Sequence, residues 1–260
     1  MSNADSVPTV FCLHALGLSA RSFGPVASEL GSAAHLDAID LPGFGAAAPL
    51  GGAPVASMMD EVVARIRAVG SQRWYLVGHS MGGKIATLIA ARALADPASL
   101  PGLAGIALLA ASPPGPEPMD EEQRARMLRW VRDTGRLSPQ AAREFLDENL
   151  GAPLPVELDA LAMDDLQRAS GEAWTGWLSA GNREDWSARV GRLEVPAVVL
   201  AGGDDDDLGP DAQRRLHTPV YPDAHFVTLA GAGHMLPLER PRDVADALRD
   251  LLNRSSDHGE

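Results

Sequence analysis

Trp74-Tyr-Leu-Val-Gly78-His79-Ser80-Met81-Gly82-Gly83 is the stretch on which the reading of this chain turns. An aromatic and β-branched run leads into G-x-S-x-G, and an alanine-rich helical pattern follows from Met81 to Ala95. A serine oxygen stands clear of the top of a sheet only where a strand turns sharply into a helix. The residues two before and two after it must then lack side chains to avoid collision. Gly78 and Gly82 meet that need, and Gly83 permits closer packing of the helix. The competing reading, a glycine-rich turn of a nucleotide-binding fold, lacks both G-x-G-x-x-G and G-K-[ST]. Ser80 is therefore the candidate nucleophile.

Outward from this stretch, short apolar runs alternate with helical patterns. Strands are expected at Thr9 to Leu13, His35 to Asp40, Trp74 to Gly78 and Leu103 to Leu109, with helices ending near Leu30 and running from about Ser57 to Val69. This alternation predicts βαβ units, hence an α/β fold with a mostly parallel sheet and helices on both faces. It stops at Ser112-Pro-Pro-Gly-Pro-Glu-Pro118. From there to about Arg192 amphipathic segments such as Glu121 to Arg132 and Ala141 to Leu150 occur without a strand. An inserted helical cap is expected over residues 113–192, with the core domain formed by 1–112 and 193–260. Strands resume at Ala197 to Ala201 and Phe226 to Leu229, and a last helix is expected from Arg242 to Leu252. The polar tail from Arg254 to Glu260 reads as disordered.

Composition removes whole classes of function. The 260 residues are 45% hydrophobic and 22% charged, the balance of a globular protein. A net charge of -13 repels phosphates, which argues against nucleic acid and against anionic membrane surfaces. The apolar stretch from Leu103 to Ala111 is too short to span a bilayer. Met1 to Val10 shows no secretory signal pattern, and the single cysteine, Cys12, reads as a buried, inert thiol, so a cytoplasmic protein is expected.

Ser80 needs a base, an acid and an oxyanion site. Gly231-Ala-Gly-His-Met-Leu-Pro-Leu-Glu-Arg-Pro241 lies between the last strand and the last helix, so His234 falls on a loop at a strand's carboxyl end, where open α/β sheets place their chemistry. The acid belongs between serine and histidine in chain order, at the end of Pro196-Ala-Val-Val-Leu-Ala201, where Asp204-Asp-Asp-Asp207 follows. At most two of these aspartates can face the site. A metal site there is disfavoured because interleaved D-x-D spacing is missing, and no cofactor is indicated. Two backbone N–H groups should hold an oxyanion, that of Met81 and one from Leu13-His14-Ala15-Leu16-Gly17, for which Leu16 is the candidate.

These features together resemble the α/β-hydrolase fold superfamily, in its capped serine hydrolase branch of carboxylesterases and carbon–carbon bond hydrolases. The resemblance covers nearly the whole chain outside the cap. It rests on His14-Ala-Leu-Gly17, Asp40-Leu-Pro-Gly-Phe-Gly45, Gly78-His-Ser-Met-Gly-Gly83, Gly203-x-x-Asp206 with Pro210, and Gly233-His234 with Glu239-Arg-Pro241. It implies a Ser80, Asp206 and His234 triad, with Asp205 the nearest competitor for the acid. The chain departs from the family in having Ala15 where His-Gly is usual and Ala46-Ala47 where serine commonly follows the turn. The few residues before the first strand leave no room for the opening hairpin of many members, so about six strands are expected.

A serine at position 80 excludes the relatives that use an aspartate nucleophile. The expected activity is hydrolysis of carboxylic esters of small to medium apolar substrates through an acyl-enzyme on Ser80. The alternatives are a carbon–carbon bond hydrolase of vinylogous diketones or a lactonase with the same triad and, from another class, a ligand sensor on a hydrolase fold. Trp174 and Trp177 share a helix face and either roof the pocket or pack the cap onto the core. Phe23, Phe44 and Met235 flank the catalytic loops and are further candidates for substrate contact.

Overall fold

A computed structural model of the protein describes residues 7–254; of the tail expected to be disordered from Arg254, Arg254 itself closes the last helix and 255–260 lie outside the described residues. Six strands, β1 (Thr9–Leu13), β2 (His35–Ile39), β3 (Trp74–His79), β4 (Leu103–Leu109), β5 (Ala197–Gly202) and β6 (His225–Leu229), form one sheet in the order β2-β1-β3-β4-β5-β6. Every neighbouring pair is parallel. The expected α/β architecture and strand number are both present.

Helices α1 (Gly24–Leu30), α2 (Val55–Val69) and α3 (Met81–Ala95) join the first four strands. Five more, α4 (Glu121–Arg129), α5 (Pro139–Glu148), α6 (Val156–Arg168), α7 (Gly171–Ser179) and α8 (Ser187–Val190), stand between β4 and β5. Helices α9 (Pro210–His217), α10 (Leu236–Glu239) and α11 (Pro241–Arg254) complete the chain. Among the described residues no helix is long and apolar enough to cross a membrane.

Strand periodicity divides the core. In β1, Val10 and Cys12 join a cluster with Val26 and Leu30 of α1 and Leu248 of α11. Phe11 and Leu13 point the other way, into a cluster with Val62 of α2 and Ile85 and Ile89 of α3. With both faces covered, β1, β3 and β5 are buried along their whole length, which is why they read as unbroken apolar runs rather than alternating ones. Cys12 is wholly buried, and desolvation pushes its thiol pKa far up, as suits an inert group.

Because β1 lies between β2 and β3, the chain leaves it first toward one edge of the sheet and then toward the other. That reversal opens a crevice at the carboxyl ends of β1 and β3. Leu16 follows β1 and Ser80 follows β3, so the topology alone brings the two loops together.

The helices between β4 and β5 are tied to this end of the sheet by buried polar contacts. Asp165 of α6, 1% exposed, accepts from Ser19 Oγ at 2.6 Å and from Arg21 Nε at 3.1 Å. Lys84 of α3, the chain's one lysine, donates its Nζ to the carbonyls of Gly181 (2.9 Å) and Glu184 (3.0 Å). Burial lowers the pKa of this ammonium to about 8. Side-chain caps start three of these helices: Asp120 for α4, Ser138 for α5 and Ser170 for α7.

Candidate active site

Ser80 has φ 49° and ψ -118°, a left-handed conformation that a residue with a Cβ adopts only under constraint. Three backbone bonds supply it: Ser80 N–H donates to Leu109 (3.0 Å), and its carbonyl accepts from Gly83 (2.8 Å) and Ser112 (3.0 Å). The turn also leaves no room at its flanks. A Cβ on Gly78 would lie 2.5 Å from Gly83 Cα, and one on Gly82 would lie 2.3 Å from the Leu13 carbonyl oxygen. The spacing G-x-S-x-G is thus a steric requirement of the β3–α3 turn. Met81 opens α3, so its N–H has no partner within the helix and sits at the positive end of the helix dipole.

His234 follows β6 and is 8% exposed. Its Nδ1 lies 2.7 Å from Oδ2 of Asp205, not Asp206. The register expected from the sequence is therefore corrected by one residue. The cause is local: β5 runs on to Gly202, one residue further than the apolar run. Gly202 rather than Gly203 is the glycine the turn demands, since a Cβ there would fall 1.9 Å from the Gly233 carbonyl oxygen. Counted from Gly202, the third residue is Asp205. Its Oδ1 accepts from the N–H groups of Asp207 (3.1 Å) and Leu208 (2.9 Å), an Asx turn that leaves Oδ2 for the imidazole. Asp206 is exposed.

Burial opposes charge on both partners, but their mutual attraction wins. The Asp205 carboxyl is held below the ordinary carboxylate range by His234 and the two N–H donors. The imidazole of His234 is pushed up by Asp205, with smaller contributions from Glu117 and Asp207.

Two supports for His234 carried no assigned role at the sequence level. Glu239 receives the N–H groups of Gly233 (3.0 Å) and Met235 (3.0 Å), one on each side of the histidine, and that of Gly151 (2.8 Å). Its signal was the Glu239-Arg-Pro241 match itself. His79 lies 2.8 Å from the His234 carbonyl oxygen through Nε2, and since a carbonyl only accepts, Nε2 carries the proton. Burial holds this ring neutral, with its pKa lowered to about 3.

The loop after β1 is braced from within. His14, wholly buried and held neutral by desolvation, donates from Nδ1 to the Ala15 carbonyl (2.8 Å) and accepts the Leu41 N–H at Nε2 (3.0 Å). Phe44 packs edge-on against it at 5.3 Å. Asp40 receives the N–H groups of Ala20 and Ala46, both at 2.7 Å, which fixes the Asp40-Leu-Pro-Gly-Phe-Gly45 turn alongside.

Leu16, Ser80 and His234 line one cavity of about 50 Å³. Met119, Met127, Phe145 and Trp177 supply much of its apolar wall. Of the residues expected to contact substrate, only Trp177 is on that wall. Trp174 is instead packed between Phe145 (5.1 Å) and Trp130 (6.3 Å), its Nε1 donating to the Met127 carbonyl at 3.0 Å. Phe23 belongs to the core on the α1 and α11 face, while Phe44 and Met235 are fully buried in the other cluster. They flank the loops in sequence but point into the core, which sequence adjacency could not show. Glu117, on the segment leading into α4, also lines the cavity and hydrogen-bonds to Ser112 Oγ. Desolvation raises its carboxyl pKa. A lone acid in a proline-rich connection gave no sequence signal. Among the described residues, no group of three or more His, Cys, Asp or Glu side chains is gathered as a metal site.

The parallel sheet with this arrangement at its carboxyl edge is an α/β-hydrolase fold, and the sequence profile of the alpha/beta hydrolase family matches residues 10–247. The chain belongs to that family. A 2-succinyl-6-hydroxy-2,4-cyclohexadiene-1-carboxylate synthase from Salmonella paratyphi B is 27% identical over 97% of this chain and 96% of its own length. A thermophilic esterase from Thermogutta terrifontis superposes with a TM-score of 0.78 at 23% identity, covering 96% of this chain and 90% of that one. An enol-lactonase from Burkholderia xenovorans gives 0.79 at 20% identity, covering 97% and 94%. At such identities the structural likenesses speak for the fold.

Proposed function

We propose that this chain is a serine hydrolase that cleaves carboxylic esters of small to medium apolar substrates. The observation that carries the reading is the convergence of Ser80 and His234 on one cavity with Asp205 bonded to the far side of the imidazole. In this reading Asp205 holds the Nδ1–H tautomer, which leaves Nε2 free to take the Ser80 proton as Oγ attacks the carbonyl carbon. The N–H groups of Met81 and Leu16 receive the charge that develops on the carbonyl oxygen. His234 returns the proton to the departing alcohol, and water attacks the acyl-enzyme with His234 again as base. Residues 113–192 act as the cap that shields this chemistry, and the core domain comprises 1–112 and 193–260.

A second reading, a reaction on a carbon–carbon framework with the same triad, is favoured by the full-length likeness to the Salmonella synthase. The apolar wall of Met119, Met127, Phe145 and Trp177 supports the ester reading. The test is turnover of p-nitrophenyl esters of rising chain length beside a lactone and a vinylogous diketone, by the parent and by Ser80→Ala. Ester turnover should fall about 10⁴-fold or more in the variant. Ester activity within tenfold of the parent would remove Ser80 as nucleophile, and turnover of the diketone alone would select the second reading.

A further inference from the structure

The cavity holds a carboxyl group that the proposed chemistry does not use. Glu117 lines it together with Ser80 and His234, as do Glu148 and Asp207, and no lysine or arginine lines the space. The cations nearby already have partners. Lys84 Nζ is bound to two carbonyls, and Arg124 Nη1 is bound to the Leu178 carbonyl and Asn182 Oδ1, both at 2.7 Å. Arg126 pairs with Glu148 at 2.6 Å. Glu117 itself is fixed by Ser112 Oγ and by its own N–H, which donates to the Asn182 carbonyl at 2.7 Å, so it cannot swing out of the way.

We infer that Glu117 is a specificity-determining residue that turns away substrates carrying a carboxylate near the scissile bond and admits uncharged or cationic ones. This rests on the Ser80 hydrolase reading and deepens it. A bound anion would lose water in a cavity of about 50 Å³ with no lysine or arginine on its wall to replace it, and would meet a fixed carboxyl as well. An uncharged ester loses little on entering the same space, and an ammonium group gains a partner. The inference separates this chain from any relative whose substrate must be held by its carboxylates.

The experiment compares three p-nitrophenyl esters at pH 8: butyrate, hemisuccinate and 4-(trimethylammonio)butyrate, with the parent, Glu117→Gln and Ser80→Ala, each rate taken above that of Ser80→Ala. In the parent, kcat/KM for the butyrate should exceed that for the hemisuccinate by about 100-fold, a ratio within reach of one carboxylate at short range. In Glu117→Gln that ratio should fall at least tenfold, whatever happens to the butyrate rate itself. The change should appear in KM more than in kcat, and the preference for the 4-(trimethylammonio)butyrate over the hemisuccinate should shrink with it. A purely structural role would lower all three rates together and leave the ratios in place. Ser80-dependent turnover with a butyrate to hemisuccinate ratio near one, or a ratio unmoved by Glu117→Gln, overturns this inference and leaves the hydrolase reading intact. No turnover of any ester by the parent overturns both.

Discussion

The β3–α3 turn and the helices between β4 and β5 face each other across the same cavity, yet they are held by different forces. At the turn the constraint is backbone. Ser80 is fixed by three main-chain bonds, and the glycines on either side are demanded by contacts with Gly83 and Leu13. Across the cavity the constraint is side-chain packing, with Trp130, Phe145 and Trp174 packed edge-on or tilted against one another and buried polar contacts of Asp165 and Lys84 joining the helices to the segment after β1 and to α3. A backbone constraint admits almost one residue type per position. A packing constraint admits many, so long as volume and polarity are conserved. In the proposed reading the first kind of region holds the reacting groups in place, and the second is free to vary with substrate.

The sharpest test of the backbone-held side is the acid. Asp205→Asn should lower kcat by about 10⁴-fold, because an amide donating to Nδ1 favours the wrong tautomer of His234. Asp206→Asn should match the parent. Steady-state kinetics on one ester decides between them, and a crippled Asp206 variant with an active Asp205 variant would break the assignment.

On the packing-held side the two tryptophans should separate. Trp174→Ala removes a wholly buried ring from the aromatic stack and should cost about 3–5 kcal/mol of stability, read by denaturant unfolding. Trp177 lines both the catalytic cavity and a neighbouring cavity of about 260 Å³ bounded by Val55 and Met58. Trp177→Ala joins the two, so the preferred ester should lengthen by several carbons, with kcat/KM for the longer esters rising relative to the shorter ones. Identical chain-length profiles for both variants and the parent would mean that the wall is not where specificity resides.

This division also explains what could be read from the chain. The inner strands β1, β3 and β5 and the elbow were legible because buried parallel strands and steric turns leave unbroken apolar runs and obligatory glycines, while the edge strands β2 and β6 were legible from their place in the βα alternation. His234 was legible from its place after the last strand. The acid was misread by one residue because four consecutive aspartates carry no internal landmark, and the glycine that sets the count, Gly202, is marked only by its contact with Gly233 in space. Three of the five candidate substrate contacts were misplaced because Phe23, Phe44 and Met235 sit near the site along the chain while their side chains enter the core, and Trp174 takes the other role left open for it, packing among Trp130 and Phe145. Glu117 was invisible, since what makes it matter is its place beside Ser80 and His234 in space.

The smallest expected effect links the two sides through a proton. His234 must be neutral to accept from Ser80, so kcat/KM should rise with pH through the imidazole pKa. Asp205, Glu117 and Asp207 all favour the protonated ring, and together they outweigh burial and place that pKa above its ordinary value of about 6.5. The rising limb should therefore lie above 6.5 rather than at it. Asp205 cannot be removed without losing the tautomer, but Glu117 can. It raises the histidine only while ionised, so Glu117→Gln should move the limb to lower pH. The ring then loses a proton more readily and the active form persists further into acid. A pH–rate profile of kcat/KM on an uncharged ester, parent beside Glu117→Gln, measures the shift. A parent limb at or below 6.5 would mean that burial governs His234 after all. A limb unmoved by the substitution would mean that the packing-held side of the cavity exerts no field on the backbone-held one.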